Sequence, residues 1–250
     1  MMVTPDTEGW PAQARRGSPS APLLKVCGAT TPADIELLAQ AGADLVGLWL
    51  GVPDGHAELP LPQVAALASA ARATGCLQPV LVTFSADTDF LRHVVEHTGI
   101  RWLQLHAYQP PPVIKTLHAA VPGQLTIVKT LHLRGGTCVE RPFTAAYERA
   151  GTDLFLLDTV TDDGRVGSTG QQLPAPDVCA LVDDTTLPFL LAGGISARNR
   201  ADYDSVAGHP RFRGIDVDTA ARDEQAEFEA ASVSDLARAW RTARHHEEVT

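Results

Sequence analysis

Eight short apolar runs recur along the chain, each followed by sequence of helical character. They are LLKV (23–26), LVGLWL (45–50), PVLVTF (79–84), WLQLHA (102–107), LTIVKTL (125–131), LFLLDT (154–159), PFLLAGG (188–194) and GIDVDT (214–219). The first helix opens at Thr31-Pro32, a cap residue followed by proline at the first helical position, and closes at Gly42. Further helices are predicted at about 62–74 and 87–98, after Pro111-Pro112, near 142–150, around 177–182, near 197–206 and at the end of the chain as far as Arg244. Eight strand–helix pairs are the count that closes a parallel sheet into a (β/α)8 TIM barrel. The rival, a doubly wound open sheet, would carry a glycine-rich phosphate turn after its first strand, and none is present.

Length fits this reading, since 250 residues suit one large barrel. The expected organisation is a disordered tail over 1–22 and a single barrel domain over 23–250. The tail holds Pro5, Pro11, Pro19 and Pro22, and its Arg15-Arg16 pair is followed by GSPSAP, which is not the apolar stretch of an export signal.

Charge narrows the partners. The formal net charge is −10 and no segment concentrates the basic residues, which argues against nucleic acid and anionic membranes. No segment approaches the roughly 20 apolar residues of a membrane span. Cys27, Cys76, Cys138 and Cys179 form no CxxC pair, so neither a zinc site nor a disulfide framework is expected, and the chain reads as cytoplasmic.

In such a barrel the C-terminal ends of all strands meet on one face, and that face carries the chemistry. Cys27, His106, Thr130, Asp158, Gly193-Gly194 and Asp218 end strands one, four, five, six, seven and eight. Gln104 and His106 alternate onto one face of the fourth strand. Only three residues are lysine, and Lys25 and Lys129 lie inside predicted strands, where the barrel interior is expected. Each has a plainer explanation: a cysteine at a strand end is often buried packing, an aspartate can cap a turn, and glycines make turns.

KVCGATTPAD (25–34), LQLHA (103–107), LLDT (156–159), GSTG (167–170), LAGGISARN (191–199) and GIDVDT (214–219) together resemble the phosphoribosylanthranilate isomerase family of tryptophan biosynthesis, in order and spacing. The resemblance implies an Amadori rearrangement of an aminoaldose to an aminoketose without cofactor or metal. It implies Cys27 as general base and Asp158 as general acid. It also implies a phosphate side made by Gly167, Ser168 and Gly170 with Gly193 and Gly194; strand position, apart from the resemblance, adds Lys25, Gln104, His106, Lys129 and Asp218 as expected substrate contacts. The chemistry needs one proton donor and one acceptor, and a thiol serves as acceptor when a cation or helix start lowers its pKa. Lys25 and the helix beginning near Pro32 are the candidates for that tuning.

Three departures bear on the substrate. After the eighth strand the family reads DVSSGVE, whereas here Asp216-Val217-Asp218-Thr219-Ala220-Ala221-Arg222 puts a carboxylate in place of a serine. Such a charge opposes a phosphate dianion unless Arg222 or another cation compensates. The family's basic loop after strand two is GVPDGHAELPLP (51–62) here, with His56 as its only substitute cation. GSTG is followed by Gln171-Gln172-Leu173-Pro174-Ala175 instead of KTFDW, while Arg134 and Arg165 could supply charge from other loops. The expected partner is therefore a small molecule, phosphorylated or less anionic, bound by a monomer or homodimer. The alternatives are a related isomerase, cyclase or lyase acting on a less anionic substrate in specialised metabolism, a Schiff-base aldolase using Lys129 or Lys25, and a catalytically silent binding barrel.

Overall fold

The computed structural model describes residues 21–121, 123–160 and 172–241. Eight parallel strands form its centre: β1 (Leu23–Cys27), β2 (Leu45–Trp49), β3 (Gln78–Thr83), β4 (Trp102–Leu105), β5 (Thr126–Arg134), β6 (Leu154–Thr159), β7 (Phe189–Leu191) and β8 (Phe212–Val217). Each pairs with the next, and β8 pairs with β1, so the sheet closes and no barrel strand is left as an edge. The closure from β8 to β1 needs Gly214, where a Cβ would stand 2.0 Å from the Leu23 carbonyl oxygen.

The helices are α1 (Pro32–Gln40), α2 (Leu61–Ala73), α3 (Thr88–Thr98), α4 (Pro111–Ala120), α5 (Thr144–Ala150), α6 (Ala175–Asp183), α7 (Asp204–Ala207) and α8 (Ala230–Arg241). Thr31 and Asp34 close the start of α1 with a full capping box, and Asp87 caps α3 through its side chain. The helix expected near 197–206 is instead a 3-10 turn, Arg200–Tyr203, running into the single turn of α7. Asn199 ends the preceding loop by bonding Ser196 and Gly194, which consumes the residues the longer helix would have used. At the far end of the barrel, Arg241 of α8 bonds Asp44 and the Gly42 carbonyl.

Side chains alternate across each strand, and the two faces differ in chemistry. One set packs under the helices. The other fills the barrel, with Leu23, Leu45, Val80, Trp102, Val128, Leu154, Leu156, Leu190 and Ala192 as an apolar plug. Towards the C-terminal ends the inward positions turn polar: Lys25 and Cys27, Gln104 and His106, Thr130 and His132, Asp158, and Asp216.

β5 holds a feature outside the barrel pattern. It continues to Arg134, turns at Gly135-Gly136, both with positive φ, and pairs antiparallel with a two-residue strand, Thr137–Cys138. That hairpin returns Glu140 to the barrel mouth.

The expected tail falls mostly on residues 1–20, and Gly167, Ser168, Gly170, Arg165 and Gln171 fall within 161–171; these lie outside the described residues.

Candidate active site

A cavity of 890 Å³ opens at the C-terminal ends of the strands. Its floor includes Cys27, Gln104, His106, Asp158 and Asp216, and its walls carry Trp49, Phe84, Gly193, Gly194 and Asp218. Cys27, Gln104, His106, Asp158, Gly193, Gly194 and Asp218 are thus brought together as the sequence suggested.

On the β1 side, Lys25 Nζ lies 2.6 Å from Cys27 Sγ and 2.9 Å from Asp216 Oδ1, and the thiol faces Asp216 Oδ2 at 3.8 Å. A buried ammonium is costly unless paired. Here burial opposes the Lys25 charge, but Asp216 and Cys27 outweigh it and hold the group above its usual value. The sulfur fits only because position 47 is glycine, since a Cβ there would stand 2.5 Å from Sγ.

The expected lowering of the thiol pKa is corrected by this arrangement. Burial and the Asp216 charge push Cys27 up to about 12, against the downward pull of Lys25. At the start of α1 the Thr31 hydroxyl accepts the Asp34 N–H at 3.1 Å, and the Asp34 carboxylate sits against the Thr30 and Thr31 N–H groups, which offsets the positive helix end with a negative charge. At neutral pH a thiol so placed is protonated.

Asp158 stands on β6, three strands round the barrel from Cys27. Its Oδ1 accepts the Thr159 N–H at 2.8 Å and its Oδ2 faces His106 Nε2 at 3.5 Å. Burial raises its pKa to about 6, which makes it a usable proton donor near neutrality. His106 is held well below the ordinary imidazole value, by burial first and then by His132, Lys25 and Lys129. Gln104 Nε2 reaches its Nδ1 at 2.7 Å, which assigns the ring proton to Nε2, on the Asp158 side. Phe84 stacks on the ring at 5.6 Å between centroids.

Lys129 is placed differently from the expectation. Its position on β5 has the parity of Ile127 and Leu131, which face the helices, so its ammonium leaves the barrel interior. It donates to the carbonyls of Ala107 and Thr130 at 2.6 Å each and to Leu105 at 3.4 Å, over the Tyr147 ring. Burial lowers its pKa to about 8, yet it does not line the cavity. Lys25, expected to contact the substrate, lies behind Cys27 and Asp216 and does not line the cavity.

The mouth near β7 and β8 shows how Asp218 is tolerated. Arg222 Nε bonds Asp218 Oδ1 at 2.7 Å, and His56 Nε2 lies 3.3 Å from Oδ2. The guanidinium also donates to the carbonyls of Gly28 and Ala226 at 2.9 Å each and covers Phe228, so it is committed to the loop framework. Among the described residues lining the cavity, none is lysine or arginine. The loop after β2 folds around Glu58, whose oxygens accept the Gly51 and Val52 N–H groups at 2.8 and 2.9 Å.

Sequence reading missed His132, Glu140 and the part played by Asp216. The Gly135-Gly136 pair between two β-type runs was the available signal for the hairpin that brings Glu140 to His132. No group of three His, Cys, Asp or Glu side chains able to hold a metal occurs among the described residues.

A closed parallel barrel with a buried thiol and a buried carboxyl of raised pKa at its C-terminal mouth places the chain in the (β/α)8 class. The family model described as N-(5'phosphoribosyl)anthranilate (PRA) isomerase matches residues 24–221, and the chain belongs to that family. Among curated relatives, N-(5'-phosphoribosyl)anthranilate isomerase of Natronomonas pharaonis is 30% identical over 84% of this chain and 94% of its own. That of Rhodopseudomonas palustris is 29% identical over 88% of this chain and 99% of its own. Among solved structures, phosphoribosyl anthranilate isomerase from Thermus thermophilus superposes with a TM-score of 0.70 at 21% identity, over 87% of this chain and 97% of the other. Another, solved with reduced 1-(o-carboxyphenylamino)-1-deoxyribulose 5-phosphate, gives 0.66 at 17% identity, over 86% and 96%. These two likenesses concern the fold.

Proposed function

We propose that the chain is a phosphoribosylanthranilate isomerase-type enzyme, converting an N-substituted aminoaldose to the aminoketose by acid–base catalysis without a cofactor. The observation that carries this is the presence, in one cavity, of Asp158 with a pKa near neutrality and of Cys27 flanked by Lys25 and Asp216.

The proton ledger closes on these groups. Asp158 gives its proton to the furanose ring oxygen as the bond from that oxygen to C1' breaks, and the nitrogen lone pair forms the iminium. The iminium acidifies C2'–H, whose proton passes to the sulfur. To accept it, the thiol releases its own proton to Asp216, 3.8 Å away, while Lys25 at 2.6 Å stabilises the charge on sulfur. The resulting enolamine collapses: its O2'–H proton returns to Asp158, C2'=O forms, and C1' takes the proton from sulfur. Asp216 then returns its proton to the thiolate, and every group regains its starting state.

The test is the fall in substrate fluorescence when the purified protein meets fresh phosphoribosylanthranilate. Turnover that is lost in Cys27→Ala and Asp158→Asn, each by at least about 100-fold, is expected. A folded wild type with no turnover on that compound or on its dephosphorylated form sinks the reading.

A second reading concerns the substrate alone. The Asp218 carboxylate, paired with Arg222, and the absence of lysine and arginine among the described residues of the cavity wall favour a ligand less anionic than phosphoribosylanthranilate. A small-molecule ligand, action as a monomer or homodimer, and a cytoplasmic setting complete the proposal. Cys27 is a free thiol, and no helix among the described residues is long and apolar enough to cross a membrane.

A further inference from the structure

Glu140 lies outside the cavity wall, yet it is only 3% exposed and both its oxygens are engaged. Oε2 accepts the backbone N–H of His132 at 2.8 Å, and Oε1 meets His132 Nδ1 at 2.6 Å. A buried carboxylate is a costly way to hold a hairpin that already pairs through Leu133–Cys138 and Arg134–Thr137. His132 is fully buried, with Nδ1 directed at Glu140 and Nε2 without a hydrogen-bond partner among the described residues. Its ring stands edge-on to His106 at 5.7 Å, lies under Tyr108 at 4.9 Å, and sits level with Asp158 in the pairing of β5 with β6.

We propose that Glu140 and His132 are a positioning pair for proton transfer by Asp158, with Glu140 fixing the imidazole and the imidazole steadying both His106 and the Asp158 carboxyl. The inference rests on the reading of Asp158 as the acid. A carboxyl that releases its proton in apolar surroundings is left as a buried anion, and a neighbouring imidazole eases that step. Four charged or titratable groups bear on Asp158: His106 from β4, His132 from β5, Asp216 from β8 and Lys25 from β1. Of these, His132 and Lys25 pull its proton affinity down, and Asp216 raises it. Lys25 is already engaged by Cys27 and Asp216, which leaves His132 as the group whose orientation a separate residue controls.

His132→Gln and Glu140→Gln test the pair. Each is expected to lower kcat at least about tenfold with KM held within about threefold, and the double variant to be no worse than the poorer single one. In His132→Gln the high-pH limb of the activity profile is expected to move upward by about half a unit or more, because a downward pull on Asp158 has been removed. Folded variants with unchanged kcat and an unmoved limb overturn the proposal, as does a loss confined to KM.

If the variants do not fold, 15N-histidine NMR of the wild-type protein decides. The His132 nitrogen shifts are expected to follow the titration of Asp158 and to lose that inflection in Asp158→Asn; identical curves in the two proteins overturn the coupling. A wild type without isomerase turnover would sink the proposed function while leaving this coupling readable, so the two failures are distinct.

Discussion

Lys25 and Cys27 sit two residues apart on one face of β1, and the ammonium of the first touches the sulfur of the second at 2.6 Å. The contact does not produce a resting thiolate, because burial and Asp216 hold the thiol at about 12. Alkylation of Cys27 by iodoacetamide, followed peptide by peptide to separate it from exposed Cys76, is therefore expected to rise with pH without a plateau below about pH 10. A plateau near neutrality would show a thiolate already present in the free protein.

Gly47 is the residue that admits the sulfur. Gly47→Ala would push a methyl group into Sγ, and the thiol would have to leave its place between Lys25 and Asp216. The expected result is a fall in kcat of at least about tenfold with a normally folded barrel, since small misplacements of a reacting group are costly. Unchanged turnover would mean that the sulfur position is not critical.

Asp158 makes a pH-dependent contribution to stability as well as to catalysis. Its native pKa of about 6 lies above the ordinary aspartate value of 3.8, so the folded protein binds this proton more tightly than the unfolded chain does. The stabilisation from that proton is complete below the unfolded pKa and is lost as pH rises through about 6. Asp158→Asn should thus gain stability over the wild type as pH rises from 5 to 8, by about 1.5 kcal/mol in urea unfolding, while losing activity. Parallel unfolding curves at both pH values would contradict the assignment.

Asp218 is expected to weaken phosphate binding. Arg222 balances its charge and His56 lies against it, but the other Arg222 donors are committed to backbone carbonyls and are not free to turn to a ligand. Asp218→Ser should lower KM for a phosphorylated substrate by about tenfold and make inorganic phosphate a stronger competitive inhibitor, with little change for a dephosphorylated substrate. Equal effects on both substrates would show that this carboxylate does not sense the phosphate.

Lys129 separates a structural lysine from a catalytic one. With its ammonium on three carbonyl oxygens away from the cavity, Lys129→Met should keep kcat/KM within about threefold. Stability should fall by about 1–3 kcal/mol as buried acceptors lose their donor. Borohydride should trap no substrate adduct at this residue; such an adduct would revive aldolase chemistry.

The order of strands, the fold class and the strand-end positions of Cys27 and Asp158 were legible from periodicity and motif, because alternation and run length are local properties of the chain. The convergence of Gln104, His106, Gly193, Gly194 and Asp218 followed from the closure rule for parallel strands. The inward or outward direction of Lys129 depended on strand register, and a shift by one residue reverses a side chain. The restraint on Arg222 and the junction of Glu140 with His132 depended on loop paths. The sequence by itself therefore determined the barrel and the placing of Cys27 and Asp158 at the ends of its strands. Only the tertiary structure decided the thiol's charge state, since burial and Asp216, 189 residues away along the chain, outweigh Lys25 beside it.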